Sequence, residues 1–525
     1  MNRCHAALLD IVGIQRYVFS SNKLKENIGA SYLIQQIYEE PLQGTIREIF
    51  PGIDTNVFAA WREKPEEITI RQSETLFEIG YIGGGNALLF FKEQSHAQEF
   101  VSKWTRRLLV ETPGIITAAA IEEFDLDDFQ KSKKNLFKKL SENKFKYIPQ
   151  TIIPRHGITA DCARTGYSQE VWYEGPDDEK KGYISSVANA KLISAKEANY
   201  KITGDFEKVL KNEYCFIDEL DQLGQLPGED SHIAVVHIDG NGMGNRFIGT
   251  ATLEKTRDLS RTVATATQNT FKNLIAKITD QFELIEKSLG HTSHSYPRNK
   301  YSQKIIPLRP IIIGGDDITF VCNGKLGIYF AKLFLEFFAN EKVSDEKEIS
   351  ACAGIAITKT KYPFYRGYAL AEQLCANAKK ARKEKKDAGS WLDFHIAYGG
   401  FSGEMVDIRK NHFQASNGNL CFRPYKIGSN CVYGGFDDLI SHASKLKMSL
   451  PKNKISELRE ALTGNENDSK KFIFAMKARG LCLPNIGGKL ADFQETLWHE
   501  GRTPYFDMIE ILQFYPDFEL AREVE

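Results

Sequence analysis

The sequence predicts an α+β fold built on an internal duplication, and three observations carry that expectation. The stretch Ile311–Ile312–Ile313–Gly314–Gly315–Asp316–Asp317–Ile318–Thr319–Phe320 reads as two apolar strands joined by a tight turn. Tyr81–Ile82–Gly83–Gly84–Gly85–Asn86–Ala87–Leu88–Leu89–Phe90 has the same form. The two hairpins also stand at near-equal distances from two matching strand ends: Gly83 lies 73 residues after Asp10, and Gly314 lies 75 after Asp239. Self-similarity at so long a period marks a repeated supersecondary unit.

Composition narrows the class. A chain of 525 residues holds two to four domains with ample apolar content for their cores. A net charge of −1 excludes a globally basic nucleic-acid binder, so any such surface is local. Nine cysteines are scattered without a CxxC, which argues against a zinc ribbon or a disulfide framework. Met1 leads into Ala6–Leu9 without the apolar core of a signal peptide, and no apolar run approaches the roughly 18 residues of a membrane span. The expectation is a soluble, cytoplasmic protein with no membrane contact and no zinc.

In chain order, residues 6–19 read as a strand ending at Asp10, a turn at Gly13 and a helix start. Residues 231–247 repeat this: a strand His232–Ile238, then Asp239, then the turn Gly240–Asn241–Gly242–Met243–Gly244. Ser31 lies 21 residues after Asp10, and Ser260 lies 21 after Asp239. A further strand closes each copy, Gly114–Ala120 and Ser350–Ile357. Residues 1–125 and 226–400 are thus two related units. Between them, 126–225 reads as an irregular linking module, with Glu207–Leu223 as its helix. Its Lys131–Lys146 segment suits either a solvated amphipathic helix or a phosphate-backbone contact. An HxxH at His291–His294 sits among Ser, Pro and Asn and reads as an exposed loop. Residues 401–525 carry helical spacing, with Pro451 and Asp468 near helix starts.

Chemistry concentrates in the second copy. Asp316 and Asp317 repel one another at a hairpin tip unless a cation sits between them. Hard oxygen ligands of this kind suit Mg²⁺ or Mn²⁺. If the strands pair centrally, Asp239 joins them, and three carboxylates can hold one or two ions beside a nucleoside triphosphate. Backbone amides of Gly240–Gly244 suit the triphosphate, and the Gly314–Gly315 turn lets a nucleotide lie close to the main chain. The first copy has Gly85 and Asn86 where the second has Asp316 and Asp317, so it keeps the shape and loses the metal site. Downstream, Ala371–Lys380 reads as an amphipathic helix placing Lys379 and Lys383 on one face. Lys379 either reaches a phosphate or belongs to a solvated helix end.

Taken together, Ala353–Ile357, Tyr362–Pro363–Phe364, Ala371–Cys375 with Ala378–Lys379, and Leu392–His395 resemble the second palm domain of the large subunit of type III CRISPR effector complexes. Ile11, Gly13–Gln15 and Gly29–Ser31 resemble that family's degenerate first palm, and Arg423–Tyr425 with Leu450–Lys452 and Leu458–Leu462 its C-terminal helical domain. The resemblance implies two ferredoxin-like palm domains, a linking module and a helical C-terminal domain. It implies conversion of ATP into cyclic oligoadenylate messengers, with Asp239, Asp316 and Asp317 as catalytic metal ligands for two Mg²⁺ or Mn²⁺ ions. Gly240–Gly244 and Lys379 would hold triphosphate, and Ser31 and Ser260 would each contact nucleotide phosphates, one per palm. Partners would be effector subunits with guide and target RNA. The chain departs from the family in lacking a His-Asp dipeptide and the paired-cysteine zinc motif, which fits a compact variant without the HD nuclease, or a standalone cyclase of a related defence system. A GTP-using dinucleotide cyclase and a non-catalytic RNA- and protein-binding scaffold are the alternatives.

Overall fold

The computed structural model describes residues 3–146, 157–175, 181–226, 231–292, 295–399, 403–428, 435–483 and 491–522. His294 of the HxxH, and Pro154 and Pro176 of the linking module, lie outside them. The first unit runs β1 (Arg3–Val12), α1 (Leu24–Gln36), β2 (Phe77–Gly83), β3 (Asn86–Phe91), α2 (Gln94–Glu111) and β4 (Ile116–Asp125). Its antiparallel sheet has the order β2-β3-β1-β4, the ferredoxin-like arrangement. The link contains α3 (Phe129–Lys146) and α4 (Ser186–Asp205).

The second unit repeats the plan with β5 (His232–Gly240), α5 (Leu253–Asp280), β6 (Leu308–Gly314), β7 (Asp317–Asn323), α6 (Gly327–Ala339) and β8 (Ala351–Lys359). It adds α7 (Phe364–Glu384), β9 (Trp391–Ile396), parallel to β8, and the two-residue β10 (Tyr425–Lys426). Its sheet order is β6-β7-β5-β8-β9-β10, so four of six strands reproduce the first sheet. Even the irregularities recur: β2 bulges between Ile79 and Tyr81, and β6 between Pro310 and Ile312, each three residues before its turn. The C-terminal part is largely helical, with α8 (Phe436–Ser449), α9 (Lys452–Thr463), α10 (Glu466–Ala478) and α11 (Tyr505–Phe514).

Burial explains the layering. Residues Ile233–Ile238 of β5 are all buried because α6 covers one sheet face, against Ala234, and α7 covers the other, against Val235. Gly354 shows how closely α7 lies on β8: a Cβ there would stand 1.9 Å from the Ala371 carbonyl oxygen and 2.4 Å from the Cys375 nitrogen. Gly354→Ala forces α7 off the sheet and should cost about 2–3 kcal/mol, read as a fall in melting temperature.

Two expectations change, the second only in part. Glu207–Leu223 is α-helical only over Glu207–Leu210, followed by left-handed Lys211 and Asn212, by a short strand, Tyr214–Cys215, and by a single 3-10 turn, Leu220–Gln222. The module's long helix is instead α4, whose Ser185 hydroxyl caps it by accepting from the Ala188 amide at 3.2 Å. His291 itself is buried, with Nε2 2.9 Å from the Gly224 carbonyl, whereas Thr292, Ser295 and Arg298 of the same loop are exposed. No helix among the described residues is long and apolar enough to cross a membrane.

Candidate active site

Strand register brings the acidic residues together. Asp317, the first residue of β7, stands opposite Asp239 near the end of β5, and Gly314 pairs with Asp317 across the two-residue turn Gly315–Asp316. The Gly240 amide donates to the Asp316 carbonyl at 3.0 Å, closing the turn onto the end of β5. Only Gly315 is left-handed here (φ 57°), so a Cβ is admissible at 316. In the first unit both Gly84 and Gly85 have positive φ, and a Cβ on Gly85 would meet Ile14 Cδ1 at 2.4 Å. The glycine at 85 therefore reflects a different turn that leaves no room for a carboxylate.

Lys379 projects from α7 onto this edge, where its Nζ donates to Asp239 Oδ2 and, at 3.3 Å, to the Gly240 carbonyl. Burial, with Asp239 close by, pushes the Asp316 carboxyl up to about 6 and the Asp317 carboxyl up to about 7. Asp317 Oδ1 is buried without a hydrogen-bond partner. Among the described residues no three His, Cys, Asp or Glu side chains are already gathered to hold a metal ion, since Asp239 is turned onto Lys379. The donor set nonetheless fits Mg²⁺ or Mn²⁺: it is all oxygen, crowded with like charge, and keeps one orphaned buried oxygen.

The remaining expected residues divide. Within Gly240–Gly244, two of the five amides are engaged, Gly240 as above and Asn241 with the Ser350 carbonyl at 2.8 Å. The Met243 side chain is in the core, while Gly242 and Gly244 face open space. Lys383 is exposed and pairs with none of the three carboxylates. Ser31 and Ser260 each face the opposite unit. Ser31 lines a cavity of about 150 Å³ with Tyr32 of α1 and Ile311 and Ile313 of β6. Ser260 lines one of about 280 Å³ with Trp61 and Ile82 of the first unit, and its Oγ would be 2.9 Å from a Cβ on Gly83. A larger cavity of about 690 Å³, around Tyr214, Phe282 and Tyr301, includes none of these residues.

Sequence reasoning passed over several contributors. His237 lies two residues before Asp239, hence on the same strand face, with Nδ1 3.5 Å from Asp317 Oδ1 and 3.2 Å from Thr319 Oγ1. Burial pushes it down to about 4, so it is neutral near pH 7. Gln15 of the first unit lies close enough to Asp317 to lower its carboxyl pKa against the effect of burial. Lys144 of α3 pairs with Asp10 at 2.6 Å, repeating the Lys379–Asp239 pair. Lys133 turns inward too, donating to the Phe247 carbonyl at 2.6 Å and to Thr250 at 2.9 Å. These two lysines of the Lys131–Lys146 segment therefore hold the fold together.

Lys379→Gln removes the cation held by Asp239 at no great change in volume. Nucleotide turnover should fall about 100-fold, within the range for losing one charge-stabilising donor, while circular dichroism stays unchanged.

Residues 232–389 match the family model described as Cas10/Cmr2, second palm domain. No functionally curated protein matches this sequence. Among solved structures, Csm1 of T. onnurineus aligns with 13% identity over 97% of this chain and 70% of that chain, with a TM-score of 0.50. A Csm1–Csm4 cassette in complex with pppApApA aligns with 13% identity over 97% and 69%, also at 0.50. A Csm1–Csm4 cassette in complex with AMPPNP aligns with 14% identity over 72% and 53%, at 0.41, so this chain spans about half the length of that relative. At such identities the likeness is one of fold, and it agrees with the duplicated sheets, the paired register and the helical C-terminal part. From β5 through the end of α7, the chain is thus similar to the second palm domain of the Cas10/Cmr2 family.

Proposed function

We propose that the chain is a metal-dependent nucleotidyltransferase that converts ATP into cyclic oligoadenylate, working in the cytoplasm beside effector subunits with guide and target RNA. The observation that carries this reading is the register of Asp317 against Asp239, with Asp316 in the adjoining turn and Lys379 reaching the same edge. Asp239, Asp316 and Asp317 would hold Mg²⁺ or Mn²⁺. The bound ions would neutralise the carboxylates and lower the pKa of an attacking hydroxyl. In the reaction, the 3′-oxygen of one nucleotide bonds to the α-phosphorus of the other. The α–β bridging bond breaks, pyrophosphate leaves and the hydroxyl proton passes to solvent. The cavities of about 150 and 280 Å³ around Ser31 and Ser260 would each receive part of a nucleotide between the palms. A Csm1–Csm4 cassette of the same fold binds pppApApA, a linear adenylate with a 5′-triphosphate, which favours adenylate chemistry.

A scaffold is the second reading, because Lys379 already gives Asp239 a counter-charge without any metal. Incubation with Mg²⁺ or Mn²⁺ and each labelled NTP, with products read by mass spectrometry, separates the two. Cyclic oligoadenylates from the wild type but not from Asp316→Ala/Asp317→Ala support the enzyme. RNA binding without turnover, even with effector subunits present, supports the scaffold.

A further inference from the structure

Helix α5 belongs to the second palm, yet its first turns lie against the first palm. Arg257 is the residue that joins them, and its side chain is wholly buried. Its Nε donates to the Gly80 carbonyl at 2.8 Å, at the bulge of β2. Nη2 donates to the Ile79 carbonyl at 2.6 Å and to Glu78 Oε1 at 2.7 Å, and Nη1 to the Glu67 carbonyl at 2.8 Å. A contact of Nη1 with the Pro65 carbonyl, at 3.4 Å, completes the set. Five acceptors from one neighbouring domain around a single buried guanidinium define its position closely.

Three of those acceptors lie on β2 and two in the loop that follows the helix Val57–Glu63, and β2 and that helix wall the cavity of about 280 Å³. Ile82 is on β2, Trp61 and Arg62 are on the helix just before Pro65, and Ser260 follows Arg257 by three residues. The cavity's remaining wall includes Gly315 of the acidic turn, and α5 holds this too, through Thr267 Oγ1 donating to the Gly315 carbonyl. Ten residues of helix separate the two attachments, a span of about 15 Å. The helix is thus fastened at one point to the first palm's edge and at another to the catalytic turn.

We infer that α5 is a rigid spacer that sets the offset between the nucleotide site beside Ser260 and the acidic turn, with Arg257 and Thr267 as positioning residues. The inference rests on the two-nucleotide reading above. Arg257 holds the cavity beside Ser260 open at the width a nucleotide needs; Thr267 keeps the acidic turn at a fixed offset from it. Neither residue meets the reacting atoms.

The test is calorimetric binding of α,β-methylene-ATP, whose α–β bridge cannot be cleaved, to the full chain with Mn²⁺. The wild type is expected to bind two per chain. Arg257→Lys keeps the charge but cannot reach five acceptors; it should bind one tightly, with the second site weakened at least tenfold and Mn²⁺ affinity unchanged. Glu78→Gln, a milder change for the case where Arg257→Lys does not fold, should weaken the second site about threefold. Thr267→Val should keep two sites but lower ATP turnover at saturation about tenfold, and Thr267→Ser should restore it. Two sites of wild-type affinity in the folded Arg257 or Glu78 variant would overturn the spacer alone. One or no site in the wild type would overturn the two-nucleotide reading, and the spacer with it.

Discussion

Asp316→Asn/Asp317→Asn should abolish nucleotide turnover and, at pH 8 without metal, make the protein more stable than the wild type. Both carboxyls are raised by burial and by Asp239, to about 6 and about 7. A carboxyl whose folded pKa lies above its unfolded value contributes full stability below about pH 4 and loses it as pH rises through 6 to 7. At pH 8 the wild type therefore carries two strained charges that asparagine does not. A tenfold change in proton affinity between the unfolded and folded chain corresponds to about 1.4 kcal/mol. Asp317 keeps 32% of its side-chain surface open to water, and it interacts directly with Asp316. Screening reduces the combined gain to about 2 kcal/mol. The gain should vanish at pH 4, where both wild-type carboxyls are protonated. Turnover should fall at least about 1000-fold, since charge stabilisation is the main catalytic term at such a site. Thermal melts at the two pH values, with and without Mn²⁺, check the stability half. Mn²⁺ should raise the wild-type melting temperature and leave the variant unmoved. A variant destabilised at pH 8 would mean that the carboxylates support the fold rather than strain it.

Arg423→Met should cost about 3–5 kcal/mol and release the C-terminal helices to proteolysis, because it leaves two buried carboxylates without their cation. Arg423, Asp507 and Glu510 are all fully buried between β9 and α11. Arg423 Nε donates to Asp507 Oδ1 at 3.0 Å, Nη1 to the Phe394 carbonyl at 2.8 Å, and Nη2 to Glu510. Tyr425 Oη donates to Asp507 Oδ2 at 2.6 Å, and the guanidinium lies 4.0 Å from the Phe394 ring centroid. Replacing the whole cluster, Arg423→Met with Asp507→Asn and Glu510→Gln, should recover much of the loss, since the cost lies in the unpaired charges and not in the missing bonds. Limited proteolysis and chemical denaturation report both outcomes. Equal instability of the single and triple variants would sink this account.

The duplication itself was written in local signals. Apolar runs set the strands, glycines set the turns, and the offsets Asp10–Ser31 and Asp239–Ser260 recur because each copy folds by the same short-range rules. The register then places Asp10 opposite Asn86 as it places Asp239 opposite Asp317, which the hairpin alignment had implied. The acidic edge was legible for the same reason: strand ends and two-residue turns are near neighbours in the chain pattern. What the linear pattern could not carry is which face of each unit meets the other. Ser31 facing β6, Ser260 facing Gly83, Gln15 on Asp317, Lys144 on Asp10 and Arg257 in the β2 bulge all join residues with no periodic relation in the chain. Those contacts follow from burying two amphipathic surfaces against each other. The free energy of that burial depends on complementary shape across the whole interface, which no short window of sequence contains.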